Sequence, residues 1–162
     1  MNPRSGRTAL RRKLMELALG ELASVVVFFV VLFAALDAPA TPANALGYAA
    51  TAFPLIVGAS YWALKWRRLA VPGPALPGAA IFRVARVLGV LLIAGGLVAS
   101  AWQLAVEPGL GVYPGLVLTV FGAVEHVNYF HRQISPAGRP WTTVLKPGSW
   151  PRSHLARDLR RR

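Results

Sequence analysis

The sequence predicts an all-α integral membrane protein: an up-and-down bundle of four transmembrane helices with both termini in the cytoplasm. Three observations carry this expectation. The chain is 55% hydrophobic and only 15% charged over 162 residues, too apolar for a soluble surface. Four stretches of about twenty residues are nearly free of charge, and each would form a helix of ~30 Å, the thickness of a hydrocarbon core. All 18 Lys and Arg residues fall in three of the five segments that flank those stretches.

In chain order, residues 1–16 form a basic segment with Arg4, Arg7, Arg11, Arg12 and Lys13. The first span covers about residues 17–36 and has nothing polar over 25–35. A basic start, an apolar run and Ala38-Pro39-Ala40 imitate a secretory signal. The run is too long for a signal core, however, and its removal would leave an odd number of spans, so it is expected to stay as an anchor. The link 37–44 is short and contains no basic residue.

The second span covers about residues 45–64. Pro54 within it leaves the Ala50 carbonyl without its helical donor, which predicts a kink. The inner loop holds Lys65, Arg67, Arg68, Arg83 and Arg86 around a proline-rich turn too short to fold alone. The third span, about 87–106, lacks any polar residue over 87–99, where a soluble amphipathic helix would show a polar stripe. Residues 107–111 make another short link without basic residues, and the fourth span covers about 112–131. The tail 132–162 holds the remaining eight cations: Arg132, Arg139, Lys146, Arg152, Arg157, Arg160, Arg161 and Arg162.

Basic residues are retained on the cytoplasmic side during insertion, so this segregation places both termini and the inner loop there. Short links make consecutive helices antiparallel neighbours. Gly58, Ser60, Gly95, Gly96 and Ser100 are the expected close-packing positions. Tyr61, Trp62, Trp66, Trp102 and Tyr113 read as anchors at the headgroup level. The tail reads as a surface-lying segment. Trp141, Val144, Leu145 and Trp150 would dip into the interface, and its arginines would hold anionic inner-leaflet lipids at ~1 kcal/mol each.

Several function classes fall away. The net charge of +12 is accounted for by the cytoplasmic flanks, and no nucleic-acid-binding motif accompanies it, so no nucleic acid partner is expected. Without cysteine there is neither a disulfide scaffold nor a thiolate metal site. Fifteen Arg against three Lys, with abundant Ala, Gly and Pro, suggest a GC-rich bacterial genome and hence the cell membrane.

The densest polar cluster ends the fourth span: Glu125, His126, Asn128, Tyr129, His131 and Arg132. On a helix Glu125, Asn128, Tyr129 and Arg132 share a face, and His126 lies on another. If the hydrocarbon ends near His131, Glu125 sits ~9 Å inside it. An unpaired carboxylate there costs on the order of 2–3 kcal/mol, so it needs a partner. Glu21 on the first span, with Arg83 and Arg86 before the third, lie at matching depth. A cluster of Glu21, Arg83, Arg86, Glu125, His126, Asn128, Tyr129 and His131 is therefore the candidate site. It would serve either as a structural brace or as a lining for a proton or substrate path.

No pair among Glu125, His126 and His131 has the i, i+3 or i, i+4 spacing of two ligands on one helical face, and HExxH is absent, so no metal is expected. His154 and Asp158 are four apart in the tail but lack the companions of a phosphatase site, and their spacing is read as chance. No phosphate loop or nucleophile elbow occurs, no cofactor is expected, and no family is recognised. The reading is a non-enzymatic structural or accessory subunit that packs against a membrane-protein partner or itself. The alternatives are a proton-linked carrier that uses Glu21 and Glu125, and a membrane-embedded enzyme acting on a lipid-like substrate.

Overall fold

The computed structural model describes residues 3–69, 76–134 and 150–160. The elements are α1 (Pro3–Phe29), a π-helical continuation (Val30–Ala35), α2 (Pro42–Arg68), α3 (Ala79–Val106), α4 (Tyr113–Phe130) and the short α5 (His154–Asp158). Among the described residues there is no strand, only an isolated antiparallel bridge between Arg132 and Arg152. On length and apolarity alone two helical stretches, Gly6–Ala35 and Ala79–Val106, could cross a membrane. Arg139, Lys146, Arg161, Arg162, Trp141, Val144, Leu145 and the prolines at 72 and 74 lie outside the described residues.

Local chemistry sets the helix ends. Asp37 takes a left-handed φ of 48° and turns the chain out of the π-helical stretch. Thr41 caps α2 by accepting from the Asn44 N–H at 3.3 Å, with Pro42 in the first turn, where its missing N–H costs nothing.

α2 is the hub: it packs against α1, α3 and α4, and α4 packs in turn on α3. Consecutive helices run antiparallel, so α2 and α4 run parallel, side by side in the middle, with α1 and α3 flanking them. Glycine makes that central contact possible. A Cβ on Gly47 would fall 2.6 and 2.7 Å from the carbonyl carbon and Cα of Gly115, and one on Gly115 would fall 2.7 Å from Asn44 Cα. Lower down, Gly122 lies against the Ala50 carbonyl, the group that Pro54 deprives of its helical donor. The α3–α4 seam is built alike, with Gly89 against His126 and Gly96 against Thr119. Of the expected packing positions Gly58, Gly96 and Ser100 are buried, whereas Ser60 is exposed and bonds back to the Ile56 carbonyl at 2.8 Å.

Residue type decides which helices sit inside. α2 and α4 carry most of the interior polar groups, and two of these, Asn44 and Thr51, are bonded across the bundle. Asn44, fully buried, donates to the Pro39 and Leu110 carbonyls at 2.9 Å each and accepts from Gly115 N–H at 2.8 Å. Thr51 donates to the Leu118 carbonyl. α1 and α3 present large apolar side chains outward, with Val26, Val27, Val84, Val87, Leu91 and Val98 all exposed, and the outer face of α4 adds Val117, Val120 and Val124.

Two apolar cores result. One, at the end distant from the termini, joins Leu32, Ala38 and Leu118 with Phe28, Phe33 and Tyr48. The other, at the end that bears the termini, joins Tyr61, Phe82, Tyr129, Phe130 and Leu155. Tyr61 is thus a core residue and not an exposed anchor, because its hydroxyl has a partner inside the fold; Trp102 and Tyr113 are exposed.

Candidate functional site

The polar end of α4 is divided by its own helical geometry. Residues 125, 128 and 129 turn toward α1 and α2, whereas 126 lies a further 100° around and meets α3. On the first side the Tyr129 hydroxyl donates to Glu21 Oε1 of α1, and the Trp62 indole of α2 bonds the same hydroxyl. Asn128 Nδ2 donates to Glu125 Oε2 at 3.3 Å, and Asn128 Oδ1 accepts from Ile134 N–H at 3.0 Å. Glu21 and Glu125 lie close enough to interact electrostatically. These four expected residues are brought together, as an α1–α4 brace.

On the other side His126 is 4% exposed, and neither ring nitrogen has a hydrogen-bond partner. Its ring packs on Phe130 at 4.8 Å and lies 5.9 Å from the His131 ring, with Gly89 of α3 making room for it. Arg83 and Arg86 are exposed on α3 and do not meet Glu21 or Glu125. The expected single cluster is therefore two, separated by the body of α4. Elsewhere Arg12 pairs with Glu16 at 3.0 Å and Lys65 with Asp158 at 3.2 Å.

The tail supplies what sequence reasoning missed. Ser153 caps α5 by accepting from Ala156 N–H at 3.1 Å, and its hydroxyl donates to the Tyr129 carbonyl at the end of α4. Gln133 N–H donates to the Pro151 carbonyl at 2.8 Å, and Arg132 Nη1 donates to the Trp150 carbonyl at 2.9 Å. Leu155, 1% exposed, plugs the apolar core. Asp158 Oδ2 accepts from the Tyr61 hydroxyl at 2.8 Å and pairs with Lys65, whose ammonium also lies 5.2 Å from the Tyr61 ring centre. The described part of the tail is therefore packed under the bundle. The His154–Asp158 spacing, read as chance, places Asp158 on the buried clamp and His154 beside Trp62 at 5.9 Å. Its imidazole is held below the usual histidine range by partial burial and by the cations Lys65 and Arg157, with Asp158 opposing.

Two clefts flank this packed tail. One, of about 460 Å³, opens between α1, α2 and α5 and is lined by Leu14, Glu21, Trp62, Lys65, Tyr129 and His154. The other, of about 560 Å³, opens between α3, the end of α4 and α5. Among the described residues no three His, Asp or Glu side chains gather as a metal ion would require. No family model matches the chain, and comparison with curated proteins and with solved structures finds no similar protein.

Proposed function

We propose that the chain is a non-enzymatic integral membrane subunit of the bacterial cell membrane, with four spans and with both termini and the α2–α3 loop in the cytoplasm. α1, α3 and the outer face of α4 would be its lipid-facing walls, with α2 and the inner face of α4 as its interior. The outward apolar surface of α1 and α3 supports this reading, because in water such a surface would invite aggregation and in lipid it costs nothing. Lys65, Arg67, Arg68, Arg83 and Arg86 of the inner loop and Arg132, Arg152, Arg157 and Arg160 of the tail, all among the described residues, belong to the end where α5 docks.

The observation that favours a structural role is the use of span polar groups as interhelical bonds. Tyr129 to Glu21, Thr51 to Leu118, and Asn44 to Leu110 and Gly115 tie separate helices together. Purification in mild detergent tests the proposal: a stoichiometric companion protein, or a stable homo-oligomer, is the expected result. A monomer alone under the gentlest extraction would count against it.

A second reading, a proton-linked carrier, draws on the cleft beside Glu21 and on the proximity of Glu21 to Glu125. The two readings separate on one substitution. If the pair is a brace, Glu21→Gln lowers accumulation of the protein; if it is a proton path, accumulation is normal and flux is lost.

A further inference from the structure

The cleft between α3, α4 and α5 is unlike the rest of the molecule in its charge. Arg83 and Arg86 come from the start of α3, Arg132 from the end of α4, and Arg152 and Arg160 from the tail, with His131 beside them. Those five arginines come from three separate stretches of chain, and among the described residues no carboxylate lines the cleft. Like charges gathered in one concavity repel, so docking α5 here concentrates positive potential that a bound anion would relieve. Arginine is also the side chain whose planar fork grips phosphate oxygens in pairs.

Part of the same cleft's wall is apolar. Val87, Phe130 and Leu159 lie between the arginines, and the exposed Val84, Leu88 and Leu91 continue along α3 from its edge. A charged concavity that opens onto an apolar track fits an amphiphile, with its head among the arginines and its chains along α3.

The geometry points to a binding site for the phosphate headgroup of an anionic lipid, of the phosphomonoester class, on the cytoplasmic side. A phosphomonoester carries about −1.5 to −2 charges near pH 7, against one for a phosphodiester, and it presents three acceptor oxygens to several forks at once. The assignment of a lipid rests on the membrane reading above; the assignment of a phosphate rests on the arginines alone.

The test uses the full chain in phosphatidylcholine nanodiscs that contain either phosphatidate or a charge-matched amount of phosphatidylglycerol, with retained lipid read by native mass spectrometry. Phosphatidate is expected to be enriched about tenfold over phosphatidylglycerol. The triple variant R83Q/R86Q/R152Q is expected to lose that preference, and R11Q/R12Q, which removes charge elsewhere at the same end, to keep it. R83K/R86K retains the charge and the fold while removing the paired grip, and should reduce the preference several-fold. Equal retention of the two lipids, or an equal loss in R11Q/R12Q, overturns the site. Full displacement of phosphatidate by inorganic phosphate at the same concentration overturns the lipid and leaves a soluble phosphate as the ligand. Release of the wild-type protein from membranes by alkaline carbonate would separately overturn the membrane reading.

Discussion

The buried Tyr61 hydroxyl of α2 donates to Asp158 Oδ2 of α5 at 2.8 Å, across 97 residues of chain, and the same oxygen lies 3.2 Å from Lys65 Nζ. One carboxylate in the tail thus satisfies a core tyrosine and a half-buried lysine on a single helix. That relationship makes the tail part of the fold.

Asp158→Ala leaves a buried hydroxyl without its acceptor and a lysine without its counter-ion. A loss of ~1–3 kcal/mol is expected, the usual result of orphaning a buried hydrogen-bond partner. It should appear as a lower melting temperature in detergent, together with faster proteolytic removal of residues beyond Gln133. An unchanged cleavage rate would mean that Leu155 and the Ser153 bond to α4 hold α5 without the Asp158 contacts.

The docking of α5 should also depend on pH through His154. Its folded pKa is depressed, first by burial and then by Lys65 and Arg157, so the docked state favours the neutral ring. The contribution is fully present above the ordinary histidine value of about 6.5 and is lost as pH falls below it toward the depressed value. Protease sensitivity of the tail is therefore expected to rise as pH falls below about 6.5, and His154→Gln should flatten that profile.

The central α2–α4 contact admits no side chain at its glycines. Gly115→Leu would drive a side chain into the Ala43 and Asn44 backbone, with an expected cost of ~3 kcal/mol or more and loss of folded protein. Gly20→Ala is the matched control, since a Cβ there meets nothing within 4 Å; it should be neutral or slightly stabilising. Fluorescence-detected size exclusion of the two variants gives the comparison.

Asn44→Leu removes the bonds to Pro39, Leu110 and Gly115 in one step. A loss of ~1–3 kcal/mol is expected for each backbone group left unsatisfied. Accumulation and melting temperature should therefore both fall. The less drastic Thr51→Val should cost about 1 kcal/mol, as it breaks one such bond.

The orientation can be measured directly because the chain has no cysteine of its own. Asp37→Cys and Glu107→Cys are expected to react with an impermeant maleimide in intact cells, and Arg160→Cys only after lysis. Protection of either link in intact cells would reverse the proposed topology.

The helices were legible in the sequence because the hydrophobic runs and their Pro, Gly and Asp boundaries are local signals. Structural α2, α3 and α4 contain the stretches 45–64, 87–106 and most of 112–131, and α1 with its π-helical continuation covers nearly all of 17–36. The shared face of Glu125 and Asn128 was legible too, since a spacing of three on one helix is fixed by the helix itself, though their hydrogen bond was not read from it.

Which helix faces which is not a local property. Glu21 meets Tyr129 over 108 residues, and Arg86 parts from Glu125 because α4 turns Glu125 toward α1 and α2 while Arg86 lies on α3. Gly47, Gly89, Gly115 and Gly122 look like ordinary glycines until a facing backbone or imidazole shows why a Cβ is excluded. His154, Leu155 and Asp158 sit in a tail whose arginines suggest only a charged surface. Residue periodicity and charge placement determined that this chain forms long apolar helices; only close packing of parallel α2 and α4, with α5 folded beneath them, decided which polar groups meet. The reason is physical: helix formation depends on neighbours within a turn, whereas burial of a carboxylate, a tyrosine or an imidazole is settled by whatever element packs against it.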